Sequence, residues 1–587
     1  MKRSELIDVT LGQEAADLVI KGGKLVNVHT EEIYEADVAI KGSRIAAVGD
    51  VGKSIGPETK IIDATGKYIT PGLIETHQHV AGSHLSMREF ARAALSHGTT
   101  SIATDFYEIG SVAGVKGIRA CLDQLKATPL KVFFVIPMPA FLQNGEFGHT
   151  GALTFDDMKQ MLEWPECFGL NEAFAPEVLQ QIPEILELIN LTRKKGKVIV
   201  GHASEIKGRE LQAWLAFVGT TNDHECVSAE EALEKSRLGI RILLREGSAA
   251  SDVQRVIRAI TEYKADPRMF AFCTDEEDPE RLVKIGHIDH KIRLAVRAGV
   301  NPITAIQMAT INAAECYQIS HELGSIVPGK IADVLLVDDI ANFTIDSVIA
   351  NGEIVVENRR FVCNIKCPDN QPFMYQTVRL PRRVSPDDFK IAAPAEDGQF
   401  TVRVIGATEG DLITSERRAV LKAVNGYLEA DVAQDVLKIA VFDRHSNVVE
   451  VGKGFIQGFM LQDGAIASTF NPHKEDLVVV GTNDADMAVA VNRVVELGGG
   501  FVAVRGGAVI GEVPLPLFGL LSDKNLEEVL DEFEKLRGAV KSLGCQFRGP
   551  FTMLGFMCLP VIIGTLKICS KGLVDVWSKQ IVDLVVS

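Results

Sequence analysis

Short apolar runs with a period of two, broken by glycine-containing turns, open the chain. Leu18-Val19-Ile20, Leu25-Val26-Asn27-Val28, Ala36-Asp37-Val38-Ala39-Ile40 and Arg44-Ile45-Ala46-Ala47-Val48 alternate around turns such as Lys21-Gly22-Gly23-Lys24 and predict a small antiparallel sheet over residues 17–70. The pattern returns at Val334-Leu335-Leu336-Val337 and over residues 348–355, where Asn351-Gly352 predicts a hairpin turn. Two strand-rich pieces flanking one central block imply a single unit built from both. The central block carries eight apolar strand candidates, at residues 68–74, 99–106, 130–136, 167–172, 197–201, 219–223, 240–245 and 269–274. Most intervening pieces show helical periodicity, as at 87–96, 183–194, 229–238 and 252–262. Eight alternating units predict an α/β fold, a (β/α)8 barrel, with a doubly wound sheet left open by the count alone.

Beyond residue 380 the pattern changes. Ser385-Pro386-Asp387-Asp388 and residues 393–398 read as turn or linker material, followed by apolar runs at 477–480 and 501–504 and helical periodicity at 484–497 and 525–541. The expected organisation is a composite β-sandwich from residues 1–70 and 325–380, a catalytic barrel over 71–324, and a C-terminal α/β domain over 381–587. Gly498-Gly499-Gly500 and Arg505-Gly506-Gly507 flank a strand and read as turns, since no Gly-Lys-Ser/Thr follows to make a phosphate cradle. Leu515-Pro516-Leu517 reads as a rigid turn.

Composition narrows the function classes. With 46% hydrophobic and 24% charged residues the chain is ordinary globular protein, and a formal net charge of −17 opposes a nucleic-acid surface. The stretch 551–566 is interrupted by Gly555, Pro560 and Gly564 and reads as core, so no membrane association is expected. Ten cysteines with no Cys-x-x-Cys pair suit reduced thiols, and the opening Met1-Lys2-Arg3-Ser4-Glu5-Leu6 holds no apolar signal region. A cytoplasmic protein is the expectation.

The chemistry is concentrated where barrel strands end. His77 and His79, one residue apart after an apolar run, would share a strand face. Glu172, His202, His224 and Asp275 fall at the ends of the fourth, fifth, sixth and eighth strand candidates. Singly each has a plainer role: Glu172 as an acid at a helix start, His202 in a turn, Asp275 as a cap. Together they are a set of zinc, iron or manganese ligand types at the one face where a barrel places its chemistry.

Pro71-Gly72-Leu73-Ile74-Glu75-Thr76-His77-Gln78-His79 resembles the first-strand metal motif of the amidohydrolase superfamily, and 324–333 leading into 334–337 resembles its return to the small sheet. Gly98-Thr99-Thr100, Gly169-Leu170-Asn171-Glu172, Gly201-His202-Ala203, Asp223-His224-Glu225-Cys226, Arg245-Glu246-Gly247-Ser248-Ala249, Gly286-His287-Ile288-Asp289, Gln307-Met308-Ala309-Thr310 and residues 480–490 resemble the bacterial adenine deaminases within it. The resemblance covers nearly the whole chain. It implies that His77, His79, Glu172, His202, His224 and Asp275 surround two divalent metal ions (manganese, iron or zinc), with Glu172 bridging and with Asp275, Glu172 and His224 as catalytic residues. Asp275 would carry protons while an activated water attacks a cyclic amidine.

Tyr107, Glu108, Arg245, Glu246 and His287 are the candidate substrate-binding residues. Arg245 and Glu246 would either meet the substrate or pair with each other, and His287 would either close over the site or cap the following helix. The chain departs from the adenine deaminases where Val80-Ala81-Gly82-Ser83 replaces Ile-Glu-Ser-Ser, where Tyr107 replaces the histidine of Pro-His-Glu-Ile, and where residues 469–476 replace Ala-His-Asp-Ser-His-Asn. The expected activity is deamination of adenine to hypoxanthine by a homodimer. The alternatives are another purine or related heterocycle, or a non-catalytic scaffold.

Overall fold

The computed structural model describes residues 3–138, 152–248, 250–409, 411–472, 474–559 and 564–586. Nine strands form the first sheet: Leu18–Asn27, Glu32–Lys41, Arg44–Gly49, Lys60–Asp63 and Tyr68–Pro71, joined by Val334–Val337, Ile345–Ala350, Glu353–Glu357 and Arg360–Phe361. The two distant pieces meet where Val334 pairs with Pro71 and Val337 with Tyr68, antiparallel, as the sequence pattern implies. The Asn351-Gly352 turn also forms, with φ of +53° and +79°. The expectation of an antiparallel first half is corrected: Leu18–Asn27 runs parallel to both Lys60–Asp63 and Tyr68–Pro71. Period-two alternation marks a strand but not its direction, and the long connection after Gly49 returns the chain to the far side of Leu18–Asn27.

Eight parallel strands form the second sheet: β1 (Leu73–Glu75), β2 (Thr99–Thr104), β3 (Lys131–Pro137), β4 (Cys167–Phe174), β5 (Val198–His202), β6 (Asn222–Asp223), β7 (Arg241–Arg245) and β8 (Phe270–Cys273). They lie in sequential order. The sheet closes into a (β/α)8 barrel just past the strand ends, where the Asp275 N–H donates to the His77 carbonyl (2.9 Å) and the His79 N–H to the Asp275 carbonyl (2.7 Å). Alternate residues Ile74, Ala103, Phe133, Val135, Val198, Val200, Leu243 and Ala271 fill the barrel with Tyr317, whose hydroxyl donates to the Thr76 carbonyl.

One expected strand is in fact two. Residues 68–74 divide at Gly72 into Tyr68–Pro71 of the first sheet and β1 of the barrel. A Cβ at Gly72 would stand 2.4 Å from Thr100 Oγ1 and 2.9 Å from Asp333 Cβ, so only glycine lets the chain pass between the sheets. Among the expected helices, Met87–Ser96, Pro183–Lys194 and Ala229–Arg237 form, whereas 252–262 divides into the short helices Val253–Val256 and Arg258–Thr261.

The C-terminal region is built on ten strands, largely antiparallel, with a three-stranded sheet of Leu566–Cys569, Gly572–Asp575 and Gln580–Val582. Helix Asp484–Leu497 lays Met487, Val491 and Val494 against Val479 and Val502 of the ten-stranded sheet. This region lies over the barrel's ligand-bearing end. Ser522 N–H donates to the His84 carbonyl (2.9 Å), and Tyr107 Oη donates to the Pro472 carbonyl (3.2 Å). All ten cysteines are unpaired thiols, and no helix among the described residues is long and apolar enough to cross a membrane.

Candidate metal centre

Four histidines and two carboxylates arrive at one point from five barrel strands. β1 stops at Glu75, so His77 and His79 lie beyond it, yet the backbone bonds to Asp275 keep them extended and on one face. Their rings meet edge-on at 4.8 Å. Glu172 is pushed inward by a bulge in β4: its neighbours Leu170 and Ala173 pair with Ile199 and Gly201, two β4 residues facing one of β5, and Glu172 takes φ +49°. Asp275 is left-handed too, at φ +67°. Such strain in non-glycine residues persists where the surroundings enforce it, commonly at functional sites.

Glu172 Oε1 is the centre of the cluster. It stands 3.4 Å from His202 Nδ1, 3.4 Å from His224 Nε2, 3.6 Å from His79 Nε2 and 3.7 Å from His77 Nε2. Asp275 Oδ1 lies 3.6 Å from His77 Nε2 and 3.5 Å from His79 Nε2. Ligand atoms about 2.1 Å from a tetrahedral ion are separated by roughly 3.4 Å, so these spacings suit donors around ions more than hydrogen-bonded pairs. His77 Nε2, His202 Nδ1 and both ring nitrogens of His224 are buried without a hydrogen-bond partner among the described residues. Buried polar atoms without partners are rare, and cations would satisfy these. The donor set therefore fits divalent metal ions.

Charge in the cluster is unevenly held. Burial, and then the neighbouring His224, push the His77 imidazole down to about 4. Burial would also lower His202, but Glu225 and Glu172 outweigh it and hold it at about 9. Burial would raise Asp275, yet His77 and Arg245 hold its carboxyl below the usual range, and His202, His224 and His79 do the same for Glu172. Both acids are thus kept ionised.

Two residues the strand-end reading missed belong here. Asp105 Oδ1 contacts His79 Nδ1 (3.2 Å), and its other oxygen accepts from Asn171 Nδ2 (2.7 Å), leaving His79 Nε2 for a metal. Glu225 Oε1 lies 3.4 Å from His224 Nε2 and is paired with Arg245 Nη1. Its signal was the carboxylate adjoining His224. Asp105 lay within an apolar strand candidate and gave no distinct one.

The substrate candidates divide. Tyr107 packs its ring edge-on to His79 at 4.8 Å, and both Glu108 oxygens are buried beside it without a hydrogen-bond partner. Arg245 and Glu246 do not pair with each other. Arg245 bonds Asp252 through Nε and Nη2 (3.1 and 3.0 Å) and Asp275 Oδ2 through Nη1 (3.2 Å), while Glu246 pairs with Arg281 (2.6 Å). Arg245 is therefore committed to holding acids. His287 does not close over the site: its buried ring contacts Thr99 Oγ1 (2.8 Å) and Gln78 Oε1 (3.0 Å) behind the His-x-His segment. The helix that begins at Ile288 fixes it there.

The chain is similar to known proteins over nearly its whole length. The Amidohydrolase family model matches residues 68–355, and the Adenine deaminase C-terminal domain model matches residues 411–580. The chain is 38% identical to an adenine deaminase of Moorella thermoacetica over 99% of this chain and 98% of that protein. It is 39% identical to one of Clostridium botulinum (99% and 97%) and 38% identical to one of Mesorhizobium japonicum (99% and 97%).

Proposed function

The chain belongs to the adenine deaminase family within the amidohydrolases, and from that premise we propose that it hydrolyses adenine to hypoxanthine and ammonia with two divalent metal ions. The observation that carries this is Glu172 Oε1 standing 3.4–3.7 Å from a ring nitrogen of each of four histidines. Held by His77, His79, His202, His224, Glu172 and Asp275, the ions would supply Lewis acidity that makes water a nucleophile near neutral pH.

The protein's own part is positioning and proton transfer. His79 is oriented by Asp105, and Asp275 by Arg245 through Oδ2. Kept ionised, Asp275 is the base that accepts the proton of the attacking water and returns it to the leaving nitrogen. A C–O bond forms at the amidine carbon, the bond to the exocyclic nitrogen breaks, and ammonia leaves. Tyr107 and Glu108, next to His79, are proposed to meet the ring. Manganese, iron and zinc suit this mixed donor set alike.

The division into a composite 1–70 and 325–380 unit, a 71–324 barrel and a 381–587 unit, a homodimeric assembly and a cytoplasmic location complete the proposal. Ten unpaired thiols support the last. The test is metal-loaded protein incubated with adenine. Hypoxanthine and ammonia in equal amounts are expected, and turnover of another heterocycle with none of adenine would overturn the substrate.

A further inference from the structure

Behind His202 and His224 lies a charged cluster that the proposed reaction does not use. Lys235, on the helix Ala229–Arg237, is fully buried. Its ammonium sits between Glu231 Oε1 (2.8 Å), one turn earlier on the same helix, and Asp223 Oδ2 (3.3 Å), at the end of β6. Both carboxylates are buried as well. Taking one cation and two acids out of water is costly, and an apolar side chain of similar size would pack this helix without that cost. The cluster's other hydrogen bonds show what it holds in place.

Those bonds go to the backbone of the two loops that follow the histidines. Asp223 Oδ2 accepts the Ala203 N–H (3.0 Å) and Lys235 Nζ donates to the Ala203 carbonyl (2.7 Å), so both polar backbone groups of the residue after His202 are bound. Glu231 Oε1 accepts the Glu205 N–H (3.1 Å) in the same loop. In the other loop Asp223 Oδ1 accepts the Glu225 N–H (2.7 Å), and Glu231 Oε2 accepts the Val227 N–H (3.2 Å). The cluster thus grips the first and third residues after each histidine. The two imidazoles face each other with ring centroids 5.3 Å apart, and each presents one nitrogen to Glu172 Oε1 at 3.4 Å.

We propose that Lys235 is a positioning residue for the metal centre: by joining Asp223 to Glu231 it locks the loops after β5 and β6 together and so sets the spacing of His202 and His224. The inference rests on the metal-dependent reading above. Metal coordination holds ligand distances to within about 0.2 Å, so a small relaxation of either loop is read as affinity and coordination geometry before it is read as loss of fold.

Lys235→Met nearly preserves the volume and removes the ammonium. Two readouts separate positioning from packing: competition with a chelator at graded concentrations, and the visible absorption bands of the cobalt(II)-loaded protein, which follow ligand geometry. Lys235→Met is expected to weaken metal affinity ~10-fold or more and to change the cobalt spectrum. Glu231→Gln, which keeps the shape and removes one charge, is expected to move both readouts less in the same sense, and it decides the matter if Lys235→Met does not fold. Glu234→Ala, which deletes a bond from the same helix to the Gly208 N–H (2.9 Å), should leave both readouts where they are in the parent. A folded Lys235→Met with a lower thermal midpoint but metal affinity within ~2-fold of the parent and the parent's cobalt spectrum overturns the inference alone. An equal shift in Glu234→Ala does so too, because it marks a general loosening of the helix. A parent that binds no divalent metal overturns the metal reading, and this inference with it.

Discussion

The backbone N–H of Asp275 donates to the carbonyl of His77 at 2.9 Å, so two residues of the candidate metal centre are also residues that close the barrel. His79 completes the seam by donating to the Asp275 carbonyl at 2.7 Å. Ligand placement and barrel closure are one geometric fact here.

Glu172 Oε1 is the centre of the cluster, so on the proposed two-ion reading Glu172→Ala should lower metal content from two ions per chain to one or fewer. Ammonia release should fall more than ~100-fold, beyond the loss typical of removing an outer partner. Elemental analysis beside the activity assay checks both; a variant that retains two ions would refute the bridging role.

Asp105 contacts His79 Nδ1 and Asn171, and its Oδ1 also accepts the Tyr107 N–H (3.1 Å). Asp105→Asn should weaken metal affinity or activity ~10–100-fold while leaving the stoichiometry at saturating metal intact. Competition with a chelator at graded concentrations measures it.

His97 and Asp289 form a mostly buried pair (3.3 Å) that titrates away from the centre. Burial would lower His97, but Asp289 raises it, so its contribution is fully present below the unfolded value near 6.5 and fades as pH climbs through the folded value. Burial would raise Asp289, but His97 and Arg293 lower it, so its share is present above about 3.9 and is lost as pH falls. His97→Gln should therefore destabilise most between about pH 4 and 6.5, by roughly 1–2 kcal/mol, with a shrinking difference above that window. Denaturation at several pH values shows it; a difference that grows toward pH 9 would sink the idea.

Gly72 passes between two sheets with no room for a side chain. Gly72→Ala should cost about 1–3 kcal/mol through the clash with Thr100 and Asp333. Urea titration reads the loss directly, and a variant as stable as the parent would show that the junction can spread.

The six proposed ligands are named by the sequence because each stands at the end of an apolar run, and strand ends in a barrel share one face. His77 and His79 needed only the period of two. Asp105 and Glu225 become ligand partners through contacts with His79 and with His224 and Arg245, which no local pattern encodes. Arg245 and His287 are polar residues near strand ends as well, and only the fold reveals that Asp252 holds the first and Gln78 and Thr99 surround the second. The division of 68–74 at Gly72 was hidden for the opposite reason: the apolar run continues across a junction that depends on Thr100 and Asp333.

On the proposed metal reading, the seam at His77, His79 and Asp275 would tie the integrity of the barrel to the supply of metal. Ions that bind only the closed form raise the free energy of opening by RT ln(1 + [M]/Kd), which grows by about 1.4 kcal/mol for each tenfold rise in free metal above Kd. The amides of His79 and Asp275 are then gauges of occupancy. They should exchange with deuterated solvent quickly in starved cells and slowly in replete ones, before any substrate is met.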